Sequence, residues 1–120
     1  MKITKFEDIE AWQLSRELSK SVYLAVKHQA FARDYGLRDQ ICRASVSVMS
    51  NIAEGFNSGS NAEFARFMSY AQRSCAEVQA QLYVALDQNY ITKEIFGNIY
   101  ESASKTSSKI GAFIKYLKSS

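Results

Sequence analysis

Proline is absent from the 120-residue sequence, and glycine occurs only five times. These two residues are the main local punctuation of a chain, so their scarcity argues against linkers and for long helices with short connections. No low-complexity segment or internal repeat stands out. No apolar run approaches the ~20 residues that a membrane span requires, and the opening MKITKFEDIE lacks the apolar core of a secretory signal. The expectation is a cytoplasmic protein with no membrane partner. Histidine is almost missing as well. A di-iron bundle needs inward-facing Glu-x-x-His pairs, and the sole histidine, His28, has Ala25 three residues before it, which excludes the usual metal-bundle site. Placed near a helix end, His28 also leaves no Cys-His or Ser-His pair for nucleophilic catalysis. The two cysteines, Cys42 and Cys75, lack CxxC spacing and fall on apolar helical faces, which suits buried free thiols better than a disulfide or a metal site. Ser102 and Lys105 have the Ser-x-x-Lys spacing of some hydrolases without the companion motifs, and Gly55 to Gly59 lacks the Gly-Lys-Ser/Thr ending of a phosphate loop. The sequence therefore points to no enzymatic activity and to no cofactor.

What is present is helical periodicity. At 47% hydrophobic and 22% charged residues, the chain suits one domain over residues 1–120, a size that hides roughly two thirds of the unfolded surface. The first helix is predicted from Glu7 or Asp8 to about His28, with Ala11, Leu14, Leu18, Val22 and Ala25 on one face and early acids complementing the helix dipole. Gln29 to Asp34 forms the first connection, and Asp34 caps a second helix carrying Leu37, Ile41, Ala44, Val48 and Ile52. Gly55 is expected to end that helix in the left-handed conformation. Ser60 to Glu63 reads as a capping box for a third helix reaching about Gln88, with Met68, Ala71, Cys75, Val78 and Leu82 at near-heptad spacing. Thr92 caps a fourth, whose stripe runs through Ile99, Ala103, Thr106, Ile110 and Leu117. Short loops permit only antiparallel neighbours, so the fold class is all-α, an antiparallel up-down-up-down four-helix bundle.

Several segments add a family resemblance to this pattern. Leu37 to Met49 followed by Ser50-Asn51-Ile52-Ala53-Glu54-Gly55-Phe56 resembles the 23S rRNA-intervening sequence proteins, which are four-helix bundles often encoded within an insert in the large-subunit rRNA gene. FEDIEAWQLSREL (Phe6 to Leu18), the run from Phe64 to Leu82, and ALDQNYIT (Ala85 to Thr92) extend the match over nearly the whole chain. Met49 stands where the family usually has proline, which implies a straighter second helix here. The resemblance implies a ring-shaped homopentamer. Through the similar accessory proteins of diversity-generating retroelements, it also implies RNA or DNA and a reverse-transcriptase-like protein as partners.

Two surfaces follow from the residues themselves. Cys42, Val46, Met49 and Ala53 give the second helix more apolar surface than one stripe requires, and Tyr70, Tyr83, Val84 and Tyr90 lie off the main stripe of the third helix and its exit. This favours a subunit interface over a merely widened core stripe. Beside it runs a polar line of Arg43, Ser47, Asn51 and Glu54, read either as solvated charge or as a register-fixing network with Arg43, Arg66 or Arg73. The second surface is basic. From Ser102 onward there are Lys105, Lys109, Lys115 and Lys118 and no acid, and an up-down bundle gathers Lys2, Lys5 and Arg66 at the same end. Such lysines also complement a helix dipole and aid solubility, yet repetition around a ring makes a weak patch multivalent. Two readings stay open: a nucleic-acid or ribonucleoprotein accessory factor, and a protein-interaction scaffold without nucleic acid.

Overall fold

A computed structural model describes residues 2–119 as helices and short connections, with no strand among those residues. A 3-10 turn, Phe6–Asp8, precedes α1 (Glu10–Ala25), and a five-residue α2 (Gln29–Arg33) leads into α3 (Tyr35–Phe56), α4 (Asn61–Asp87) and α5 (Lys93–Lys118). The 27 residues of α4 rise about 40 Å at about 1.5 Å each. That nearly fills the long dimension of a molecule measuring 46 × 21 × 19 Å.

The four long helices form a closed square in which α1 touches α3 and α5, and α4 touches the same two from the opposite corner. Side-chain bonds show their directions. Gln72 Nε2 donates to the Ser107 carbonyl, whereas Gln79 Nε2, further along α4, donates to Tyr100 and Ser104, so α5 descends as α4 rises. Glu10 pairs with Lys109 at the start of α1, while Leu24 and Ala25 at its end meet Ile95 and Ile99. Ser74 lies against Ser47 in mid-helix, and Gly55 further on meets Phe64 and Phe67. Every seam thus carries a polar clamp, since Ser45 Oγ also lies 3.4 Å from Ser19 Oγ between α3 and α1. Between these clamps the core is aliphatic, with Leu18, Val48, Ile52, Met68, Val78 and Ile110 at 0 or 1% exposure.

Caps follow the sequence closely. Asp34 Oδ1 accepts from Leu37 N, Ser60 Oγ from Glu63 N and Thr92 Oγ1 from Ile95 N, each satisfying an amide that the helix itself leaves unpaired. The capping box is half made, because the Glu63 carboxylate is turned to Arg66 at 2.9 Å.

Three expectations need correction. Helix α1 starts at Glu10 rather than Glu7 or Asp8, because the chain turns first to bury Ile9 and to set Phe6 edge-on to Trp12 at 5.2 Å. It also ends at Ala25, and the first connection holds α2, a coil that buries Phe31 against the Tyr90 ring 5.3 Å away. Gly55 is not a left-handed terminator: α3 continues through Phe56, and the glycine with positive φ (94°) is Gly59. Gly55 is buried, and a Cβ there would stand 2.8 Å from Phe64 Cδ1 and 2.9 Å from Phe67 Cβ. Its lack of a side chain lets α3 and α4 approach closely. Helix α3 runs unbroken through Met49, as expected of a chain without proline there.

Candidate functional site

The end of the bundle where α1 begins and α5 finishes collects most of the predicted cations. Ile3 and Tyr116 line the same groove, as does Lys109, so the segments that carry Lys2 and Lys5 and those that carry Lys115 and Lys118 share one end of the bundle. Phe64 packs 5.1 Å from Phe113, which places the first turn of α4, and so Arg66, at this end as well. All five cations are exposed. They are not equally available. Arg66 is held by Glu63 at 2.9 Å and lies over the Tyr70 ring, and Lys109 is drawn to Glu10 at 3.2 Å. Lys105, further up α5, lies 3.8 Å from Glu101. Lys2, Lys5, Lys115 and Lys118 have no ion-pair partner among the described residues. The structure thus separates four open cations from three that are partly neutralised; helical spacing in the sequence already offers Glu63 to Arg66, but not Glu10 to Lys109.

The groove at this end, between α1 and α5, has a volume of about 590 Å³. Phe113, Ala112 and Tyr116 of α5 form one wall, Ala11 and Gln13 of α1 the other, with Ile3 at the rim. Asp8 and Glu10 also line it. These acids are legible in the sequence only as dipole partners, because their place beside α5 depends on how the helices close.

The other predicted surface lies along α3. Arg43 and Glu54 are exposed, Val46 is 39% exposed, Met49 and Asn51 are half-buried, and Gly55 is buried. Asn51 Nδ2 donates to the Ser47 carbonyl and to Ser47 Oγ, so within one chain its partner is serine rather than arginine, and Glu54 has no ion-pair partner among the described residues. Tyr90 is engaged inside the chain: it stacks on Phe31 and donates to Asp34 Oδ2 at 2.9 Å. That hydrogen bond to a carboxylate, aided by burial, raises the Tyr90 pKa above its usual value. Tyr83, 50% exposed, joins Phe96 and Tyr100 in an aromatic cluster across α4 and α5, with its ring 4.9 Å from that of Phe96. The Phe96 and Tyr100 spacing of four residues was the available sign of this cluster.

The thiols are free and poorly suited to nucleophilic chemistry. Burial pushes Cys75 up to about 12, and it raises Cys42 despite the opposing Arg38 charge. Among the described residues no group of three or more histidine, cysteine or acidic side chains is arranged to hold a metal, and no helix is long and apolar enough to cross a membrane.

Comparison with known families gives one decisive match. The sequence pattern of the family described as 23S rRNA-intervening sequence protein matches residues 7–112. The chain belongs to that family. Its fold is also that of a solved Bacteroides thetaiotaomicron protein, described as of unknown function and from the S23 ribosomal protein family. The TM-score is 0.80 at 23% identity, covering 88% of this chain and 95% of the other. No curated protein matches. The matched span of this intervening-sequence family member includes the caps, the SNIAEG segment and the α3–α4 contact at Gly55, and stops short of Lys115 and Lys118.

Proposed function

We propose that this protein is a non-enzymatic, oligomeric accessory factor that holds single-stranded nucleic acid loosely at the end of the bundle where α1 and α5 meet. The observation that carries the reading is the set of exposed lysines without ion-pair partners among the described residues, Lys2, Lys5, Lys115 and Lys118, at one end of the bundle. Phosphates supply the counter-charge that the chain does not, and binding releases the ions condensed on the strand. The family's association with rRNA inserts supports the same direction. A formal charge of +3 per chain is small, so useful affinity comes from repetition of the site in an assembly. The exposed Val46 and the aromatic cluster at Tyr83 support assembly through lateral faces, leaving the lysine end open.

Titration of labelled single-stranded RNA at low and moderate salt, with the native protein and a Lys115→Glu, Lys118→Glu double variant, tests the proposal. About four neutralised phosphates give a slope of log affinity on log salt near −3, and the double variant makes that slope shallower. Absence of binding at low salt, or binding indifferent to salt and to the variant, would favour a scaffold that binds only protein.

A further inference from the structure

The groove at the lysine end differs chemically from the open cations of that end. Its walls are apolar and aromatic through Ala11, Ala112, Phe113 and Tyr116, and its polar residues are Asp8, Glu10, Gln13 and Lys109. Glu10 is occupied by Lys109 at 3.2 Å, and the Gln13 amide nitrogen is spent on the Glu7 carbonyl at 2.9 Å, which leaves its oxygen as the free end. The Asp8 carboxylate has no hydrogen-bond or ion-pair partner among the described residues. A ligand that fits is therefore flat, carries adjacent donors on one edge, and is tethered to negative charge that reaches the open lysines at this end of the bundle.

Resting on the proposed nucleic-acid reading, we propose that this groove takes one unstacked guanine base of a single strand. The Phe113–Tyr116 wall covers its face, and the Asp8 carboxylate accepts from its N1–H and N2–H. Guanine alone among the four RNA bases offers two adjacent donors on its Watson–Crick edge. Uracil presents one imino donor between two carbonyls, and adenine and cytosine pair an amino donor with a ring acceptor that would face the carboxylate. Splayed bases held on aromatic side chains and read along this edge are the usual route to sequence preference in single strands. A groove of about 590 Å³ lies within the range of small-ligand sites and accommodates a base with its ribose. The flanking phosphates then lie toward Lys2 and Lys5, whose neighbour Ile3 lines the groove, while Lys115 and Lys118 add to the positive charge of this end.

The test compares RNA hexamers of equal charge, UUUGUU, UUUAUU, UUUCUU and UUUUUU, by fluorescence anisotropy at low salt. The guanine hexamer binds about tenfold more tightly than the other three, within the range of a bidentate base contact. Asp8→Asn abolishes that preference while leaving affinity for UUUUUU and its salt dependence in place, because Asp8 is exposed and takes no part in the core. Lys115→Glu with Lys118→Glu weakens all four hexamers together. Equal binding of the four native complexes overturns the guanine site and leaves the lysine-end reading standing. Failure of every hexamer to bind overturns both, and a guanine preference that survives Asp8→Asn places the reading groove elsewhere.

Discussion

At the scale of single residues, glycine shows how one side chain can mean opposite things. Gly55 sits inside α3 where an added Cβ would meet Phe64 and Phe67 at 2.8 and 2.9 Å, and the Phe67 atom belongs to a Cβ that cannot swing away. Overpacking of this kind costs about 1–3 kcal/mol, against a helix-propensity gain of about 1 kcal/mol. Gly97 lies in α5 with nothing within 4 Å of its added Cβ, so there the propensity gain stands alone. Urea denaturation should therefore find Gly55→Ala less stable than the parent and Gly97→Ala more stable by up to about 1 kcal/mol. Equal stabilisation by both would mean that α3 and α4 are not in close contact at Gly55. From sequence, Gly55 reads as a helix stop because it precedes Asn57, Ser58 and Gly59. The reason it is glycine lies on another helix, in Phe64 and Phe67, and local pattern carries no record of that.

At the scale of elements, the long helices were legible because burial repeats with helical period: Ile41, Ala44, Val48 and Ile52 of α3 face inward as their spacing required. Caps at Asp34, Ser60 and Thr92 were legible for the same local reason. The start of α1 and the existence of α2 were not, since both depend on distant partners, Phe31 on Tyr90 above all. The outer face of α3 is where assembly can be tested. Val46 is 39% exposed and Met49 half-buried, beside Arg43, Asn51 and Glu54. If this face joins subunits, light scattering of the native protein reads a multiple of 13.5 kDa, and Val46→Asp lowers the mass while the helical circular dichroism is kept. Adding Met49→Asp deepens the effect, because an unpaired carboxylate buried in an interface costs several kcal/mol. A monomeric native mass at tens of micromolar would exclude this use of α3.

At the scale of the whole molecule, the basic end was legible as a count of lysines but not as a site. Sequence groups Lys2, Lys5, Arg66, Lys105, Lys109, Lys115 and Lys118 as cations, and the helical spacing of Glu63 and Arg66 already shows their pairing, as does that of Glu101 and Lys105, whereas the Glu10–Lys109 pair between α1 and α5 has no local sign. Charge pairing across helices depends on which seams exist. Of the four seams, three join helices that follow one another in the chain apart from the short α2, and one, between α1 and α5, joins its two ends. The first three close small loops, whereas the last brings together Glu10 and Lys109 across nearly the entire sequence. Loop-closure entropy grows with the length enclosed, so the α1–α5 seam is the costliest to form early. The expected order of assembly is an open row of hairpins that shuts at α1 and α5 after the rate-limiting step. Truncating Leu14, which lines a hollow between α1 and α5 together with Ser104 and Lys105, should then accelerate unfolding in stopped-flow chevrons and leave the refolding rate nearly unchanged. A refolding rate that falls in proportion to the lost stability would instead put this seam in the nucleus. With closure last, the groove framed by α1 and α5 comes into being only with the final native contacts, and any strand it holds slows the reopening of the bundle.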